Sequence, residues 1–141
     1  ADTNGNIGFQ MSGLLPRRKK DVSGFAPVEG WLSENDWQGY YEHTELPRAY
    51  NPDEGYIITT NNNLNHLGKV SPINMPMGEY RANRIKQLIE SEEKNSIEST
   101  KKIHYDTYSL EAELFMKIII PLLPNTESGN LLKAWDLHYD V

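Results

Sequence analysis

The stretch GYIITTNNN, residues 55–63, holds four β-branched residues, Ile57, Ile58, Thr59 and Thr60, followed by three asparagines. Branched side chains suit a pleated surface, and the run predicts a strand over residues 55–60 that ends in amides. An asparagine side chain donates hydrogen bonds without carrying charge. Two readings of Asn61, Asn62 and Asn63 stand side by side. In one, an amide at the strand tip donates to an oxyanion in a water-poor site, where a single such donor is worth about 3 to 4 kcal/mol of transition-state stabilisation. In the other, the asparagines close a turn, because Asn tolerates left-handed backbone and bonds to its own chain.

On the N-terminal side of this stretch the chain is rich in Gly, Pro, Asn and aromatic residues, with a further strand-like piece in NIGFQMSGLLP, residues 6–16. LPRAYNP, residues 46–52, reads as turn chemistry leading into the strand. Nearly all of residues 17–54 lacks strand signal, and connections that long are uncommon in compact domains unless they are functional. Trp31, Trp37, Tyr40, Tyr41 and Tyr50 are expected to pin this excursion down as large anchors. The alternative is an aromatic platform, which would make the chain a non-catalytic binding module for carbohydrate or peptide. RRKK, residues 17–20, follows Pro16 and reads as a solvated turn.

On the C-terminal side no proline intervenes between Gly78 and Pro121, and the pattern becomes helical. A first helix is predicted over residues 79–92, with Ala82, Ile85, Leu88 and Ile89 on one face. Ser96 reads as the N-cap of a second helix running over 96–120, with Tyr108, Ala112, Phe115 and Ile119 inward and Pro121 as its stop. A third starts near Ser128 or Gly129 and buries Leu131, Leu132 and Trp135. The fold class is therefore α+β, a single segment with strands and loops over 1–77 and helices over 78–141. At 100° per residue, Arg81 lies about 50° from the centre of the first helix's apolar stripe, while Arg84 and Lys86 point away. Arg81 is thus expected to face inward. A buried guanidinium needs a partner, either a loop carboxylate or a functional amide that it orients.

Composition narrows the function classes. A net charge of −6 and a pI near 5.2 argue against a phosphate-backbone binder, so no nucleic-acid partner is expected. With no cysteine there is neither a disulfide framework nor a thiolate nucleophile. The longest apolar run, IIIPLL at residues 118–123, is far too short to span a bilayer, and no membrane partner is expected.

The order GNIGFQMSGLLPRR, APVEGW, DWQGY, LPRAYNPDEGYIITTNNN, YRANRI and YDTYSLEAE resembles the penicillin acylase (penicillin amidase) family of N-terminal nucleophile hydrolases, within the catalytic β subunit. The likeness runs in order over residues 2–120. It implies a fold of two stacked antiparallel sheets flanked by helices, of which this segment supplies one or two strands, a long covering excursion and helices. It also implies catalytic roles for Asn61, as side-chain donor to the oxyanion, and for Arg81, which holds the catalytic amide and amine in place. Thr60 would line the acyl pocket and bind substrate. Asn62 matches a second amide with a structural role, and Asp106 and Ser109 match a helix motif read as packing.

The family's nucleophile is an N-terminal serine that uses its own α-amine as base. Ala1 has no hydroxyl, so the 141 residues read as an internal piece of a longer enzyme, inactive alone, whose partners are a small-molecule amide and the remaining α and β subunit segments. Detached from these, the piece is expected to self-associate. No cofactor is expected. The calcium site of some members is not carried over, since residues 64–77 contain no Asp or Glu. The resemblance places the parent in the periplasm or outside the cell.

Overall fold

A computed structural model describes residues 1–19 and 22–139, and Ala1–Met77 and Gly78–Val141 form two compact units. In the first unit, β1 (Gly8–Gln10) and β2 (Arg48–Tyr50) pair antiparallel with Phe9 opposite Ala49. Alternation along the ladder turns Phe9 and Ala49 inward while their neighbours on both strands are exposed. The ladder is extended at both ends, by Met11 N–H donating to the Pro47 carbonyl at 2.8 Å and Asn51 N–H donating to the Ile7 carbonyl at 2.9 Å. Leu46 and Pro47, at the entrance to β2, are the best-buried side chains of this unit. Gly68 seals them: a Cβ there would stand 2.7 Å from the Pro47 nitrogen, so only glycine lets the two backbones approach so closely.

This pairing corrects the sequence reading at two places. LPRAYNP is not a turn before a strand but contains β2 itself, while residues 55–60 belong to no ladder among the described residues. β propensity expresses itself only where a neighbouring strand supplies hydrogen bonds. Ile57 to Thr60 have no such neighbour within the described chain, whereas residues 48–50 meet β1.

The long excursion is tied at its base by a second crossing: Arg17 N–H donates to Gly39, Gln38 N–H to Arg17, and Tyr41 N–H to Leu15, all at 2.8–2.9 Å. Arg17 is only partly solvated. It pairs with Glu45 at 2.9 Å and lies 4.3 Å from the centre of the Tyr41 ring. Lys19 reaches Glu34 at 2.7 Å, and Lys20 of the same run lies outside the described residues. The expected aromatic anchors are a further correction. Tyr41 is half-buried, but Trp31, Trp37, Tyr40 and Tyr50 are exposed, Trp31 to 79%. Backbone crossings and the Arg17 contacts hold the excursion, and its large rings face outward.

The second unit contains α1 (Tyr80–Glu90), α2 (Ile97–His104), α3 (Leu110–Ile119) and α4 (Glu127–Ala134). The Ser96 cap is formed as expected: its side chain accepts from Ser99 N–H, and Ser99 Oγ accepts from Ser96 N–H. The single helix expected over 96–120 is instead two. It breaks at Tyr105, and Ser109 caps α3 by accepting from Ala112 N–H at 3.0 Å. Asp106, Thr107 and Ser109 are short polar residues that compete with helical hydrogen bonding. The break is also used from outside, since Ser109 N–H donates to Leu137 and Tyr139 N–H to Thr107.

α3 stops at Ile119, and Pro121 lies in the short 3₁₀ turn that follows. α1 packs on α2 and α3, and Ala82, Ser99, Ala112 and Met116 are buried. Phe115 and Ile119 are exposed, against expectation. In α4, whose cap is Thr126, the buried residue is Gly129 rather than Leu131 or Leu132, and Trp135 is half-buried. The Pro124 carbonyl occupies the space a Gly129 Cβ would need, which brings the helix onto the preceding loop by its smallest residue.

Candidate functional site

The three asparagines do different things. Asn62 Oδ1 accepts from the Thr60 amide at 2.9 Å and from the Thr60 hydroxyl at 3.3 Å, and Asn63 Oδ1 accepts from Asn65 N–H at 3.0 Å. Both are local turn bonds of the kind Asn makes with its own chain. Asn65 goes further and clamps Ile73 through both of its backbone groups, at 2.8 and 3.0 Å. Asn61 differs from its neighbours in its backbone. Its φ is +63°, and its carbonyl accepts from Met77 N–H at 2.8 Å. A non-glycine residue held in the left-handed region costs energy that the surroundings must supply, and such residues concentrate at functional sites. The residue is exposed, while Thr60 beside it is half-buried.

Arg81 stands in the first turn of α1, and Arg84 one turn later. Contrary to the wheel argument, Arg81 is exposed and Arg84 is drawn in. Arg84 makes a two-pronged pair with Asp106, Nε to Oδ2 at 2.8 Å and Nη2 to Oδ1 at 2.6 Å, and its guanidinium lies 4.6 Å from the centre of the Tyr108 ring. The side chains of the pair are only 25% and 14% exposed. The apolar stripe alone misjudged this because α1 packs against two helices, so its contact face is wider than one stripe. The α2–α3 break then places a carboxylate on the flank where Arg84 emerges. Asp106 was legible only as part of a packing motif. The stronger sequence signal was a cluster of cap-forming residues, Asp106, Thr107 and Ser109, inside an otherwise unusually long helix.

The electrostatics follow from the geometry. The Arg84 hydrogen bonds hold the Asp106 carboxyl below its ordinary range against the opposing effect of burial. The same hydrogen bonds raise Arg84. Burial, together with the bond from its hydroxyl to Glu113, pushes Tyr108 up. Arg81, Arg84, Asp106 and Tyr108 line one cavity of about 490 Å³, whose apolar wall includes Ile85 and Leu88. No group of three or more His, Cys, Asp or Glu able to hold a metal ion occurs among the described residues. No helix among them is long and apolar enough to cross a membrane.

Comparison with known proteins supports the family resemblance. The protein-family model described as penicillin amidase matches residues 1–141. The chain is 32% identical over 148 residues to penicillin acylase 2 proenzyme of Pseudomonas sp. (strain SE83), covering 99% of this chain and 19% of that protein. It is 31% identical over 106 residues to an acyl-homoserine lactone acylase of Pseudomonas aeruginosa, covering 74% of this chain and 12% of that one. With penicillin G acylase of Escherichia coli it shares 28% over 131 residues, 92% of this chain and 15% of the relative. The chain thus spans under a fifth of the length of these relatives. In structure it resembles the thermostable penicillin G acylase from Alcaligenes faecalis, with a TM-score of 0.67 at 24% identity over 98% of this chain and 26% of that one. Matched along its whole length, the chain belongs to the penicillin amidase family.

Proposed function

We propose that these residues are part of an amidohydrolase that cleaves linear amides through an acyl-enzyme, and that Asn61 supplies its side-chain amide to the oxyanion. The serine oxygen adds to the amide carbonyl, the tetrahedral intermediate collapses with loss of the amine, and water then hydrolyses the ester to free acid and serine. Both steps pass through an oxyanion, so one fixed neutral donor serves twice. The nucleophile comes from elsewhere in the parent, and the 141 residues taken alone do not turn over. Thr60 lines the acyl pocket, and Arg81 orients the groups around the reacting carbonyl. The substrate is a small amide, the partners are the parent's other segments, and the setting is periplasmic or extracellular, as the resemblance implies.

The observation that carries this reading is Asn61 held in left-handed backbone, with its carbonyl pinned by Met77 N–H. Asn61→Ala in the complete enzyme should lower kcat by about 100-fold or more. A loss of only a few fold would reject the oxyanion role. The second reading, a binding module, has the exposed rings of Trp31 and Trp37 in its favour. It requires the isolated chain to bind a sugar or peptide with Asn61→Ala bound equally well.

A further inference from the structure

We infer that the Arg84–Asp106 pair is a positioning device for Arg81, an inference that rests on the role proposed for Arg81 above. Asp106 and Glu111 line one cavity with two arginines that sit three residues apart on α1, Arg81 and Arg84. Asp106 is taken by one of them. Both of its oxygens receive bonds from Arg84, a planar fork meeting a planar carboxylate, and the pair is thereby selective by shape as well as charge.

The anchor is itself stiff. Thr107 Oγ1 lies 3.1 Å from His138 Nδ1, Ser109 and Tyr139 amides tie the break to residues 137 and 107, and Tyr108 under Arg84 donates to Glu113, which holds Lys117 at 2.7 Å. The clamp therefore fixes the roll of α1 about its axis against α3. A guanidinium stands well outside the backbone cylinder of radius ≈ 2.3 Å, so a roll of about 20° would carry the head of Arg81 by about 2 Å. Misplacement on the order of 1 Å in a catalytic array is enough to cost large factors in rate.

A clamp that only holds the fold together and a clamp that sets Arg81 differ in one respect: the second acts through Arg81 and the first does not. In the complete enzyme, Asp106→Asn should lower kcat about tenfold with KM changed by less than about twofold, in protein of unchanged far-ultraviolet circular dichroism. On an Arg81→Lys background the same substitution should add little further loss. Equal factors on both backgrounds, or a kcat for Asp106→Asn within twofold of wild type, overturn the inference. If Asp106→Asn does not accumulate as folded enzyme, Arg84→Lys, which keeps the charge and loses the fork, is measured by the same two criteria. An Arg81→Lys enzyme with wild-type kcat would instead reject the role of Arg81 itself, whereas a damaged Arg81→Lys beside a normal Asp106→Asn rejects only the clamp.

Discussion

At Asn61 the left-handed backbone and the oxyanion role proposed above would coincide in one side chain, and substitutions can separate them. Glycine keeps the left-handed conformation and loses the amide, whereas alanine loses both. Asn61→Gly and Asn61→Ala should therefore share the same kinetic loss, while only Asn61→Ala lowers stability, by about 1 kcal/mol in a denaturant titration. Equal stability of the two would mean that φ at this position is not a constraint. Asp106 offers a test in pH. Its carboxyl is held below the ordinary value near 3.8, chiefly by hydrogen bonds from Arg84. A depressed carboxyl stabilises the folded state above its unfolded pKa, and the contribution is lost as pH falls through the lower folded value. Hydrogen bonds to charged groups contribute about 1.5–3 kcal/mol, so Asp106→Asn should lower the melting temperature at neutral pH, with the gap to wild type closing below about pH 4. A gap independent of pH would show that the charge is not what matters. A turn that tolerates left-handed backbone was readable in the asparagine run, but the pairing of Asp106 with Arg84 was not, because nothing in a helical wheel says where the α2–α3 junction passes.

At the scale of elements, the helices show what local rules reach. The Ser96 cap and the stop near Pro121 were written in residue types whose effect is confined to one turn. The division into α2 and α3 was not, since the apolar spacing continues through it. What decides it is the pairing of residues 107–109 with residues 137–139, a contact some thirty positions away in sequence. Ser109→Ala should accordingly cost about 1 kcal/mol in unfolding experiments, and Ser109→Asp should be nearly neutral because aspartate is an equally good cap. If Ser109→Ala were silent, the break would be held by the residue 137–139 pairing alone. The strands make the complementary point. β2 was read as a turn and residues 55–60 as a strand, because propensity ranks segments by composition while a ladder requires a partner.

Over the whole molecule the apolar surface is the dominant feature. Phe115, Ile118 and Leu122 on and after α3, Leu131 on α4, and Trp31 and Trp37 in the first unit are all exposed, Leu122 to 78%. Large apolar side chains exposed in such number favour association. The isolated 141 residues should therefore associate, with elution volume in size-exclusion chromatography that falls as concentration rises. Ile118→Lys with Leu122→Lys should shift it back towards the monomer. A concentration-independent monomer peak from the unaltered chain would contradict this.

The sequence alone determined the family, the α+β class and most helix ends, because these depend on segment order and on interactions spanning a few residues. Only the tertiary structure decided which segments pair as β1 and β2, that the long helix is broken, which arginine meets Asp106 and which aromatic rings face outward. Each of those depends on what another part of the chain brings alongside, and a hydrogen bond or a buried face has no address in the sequence of one partner.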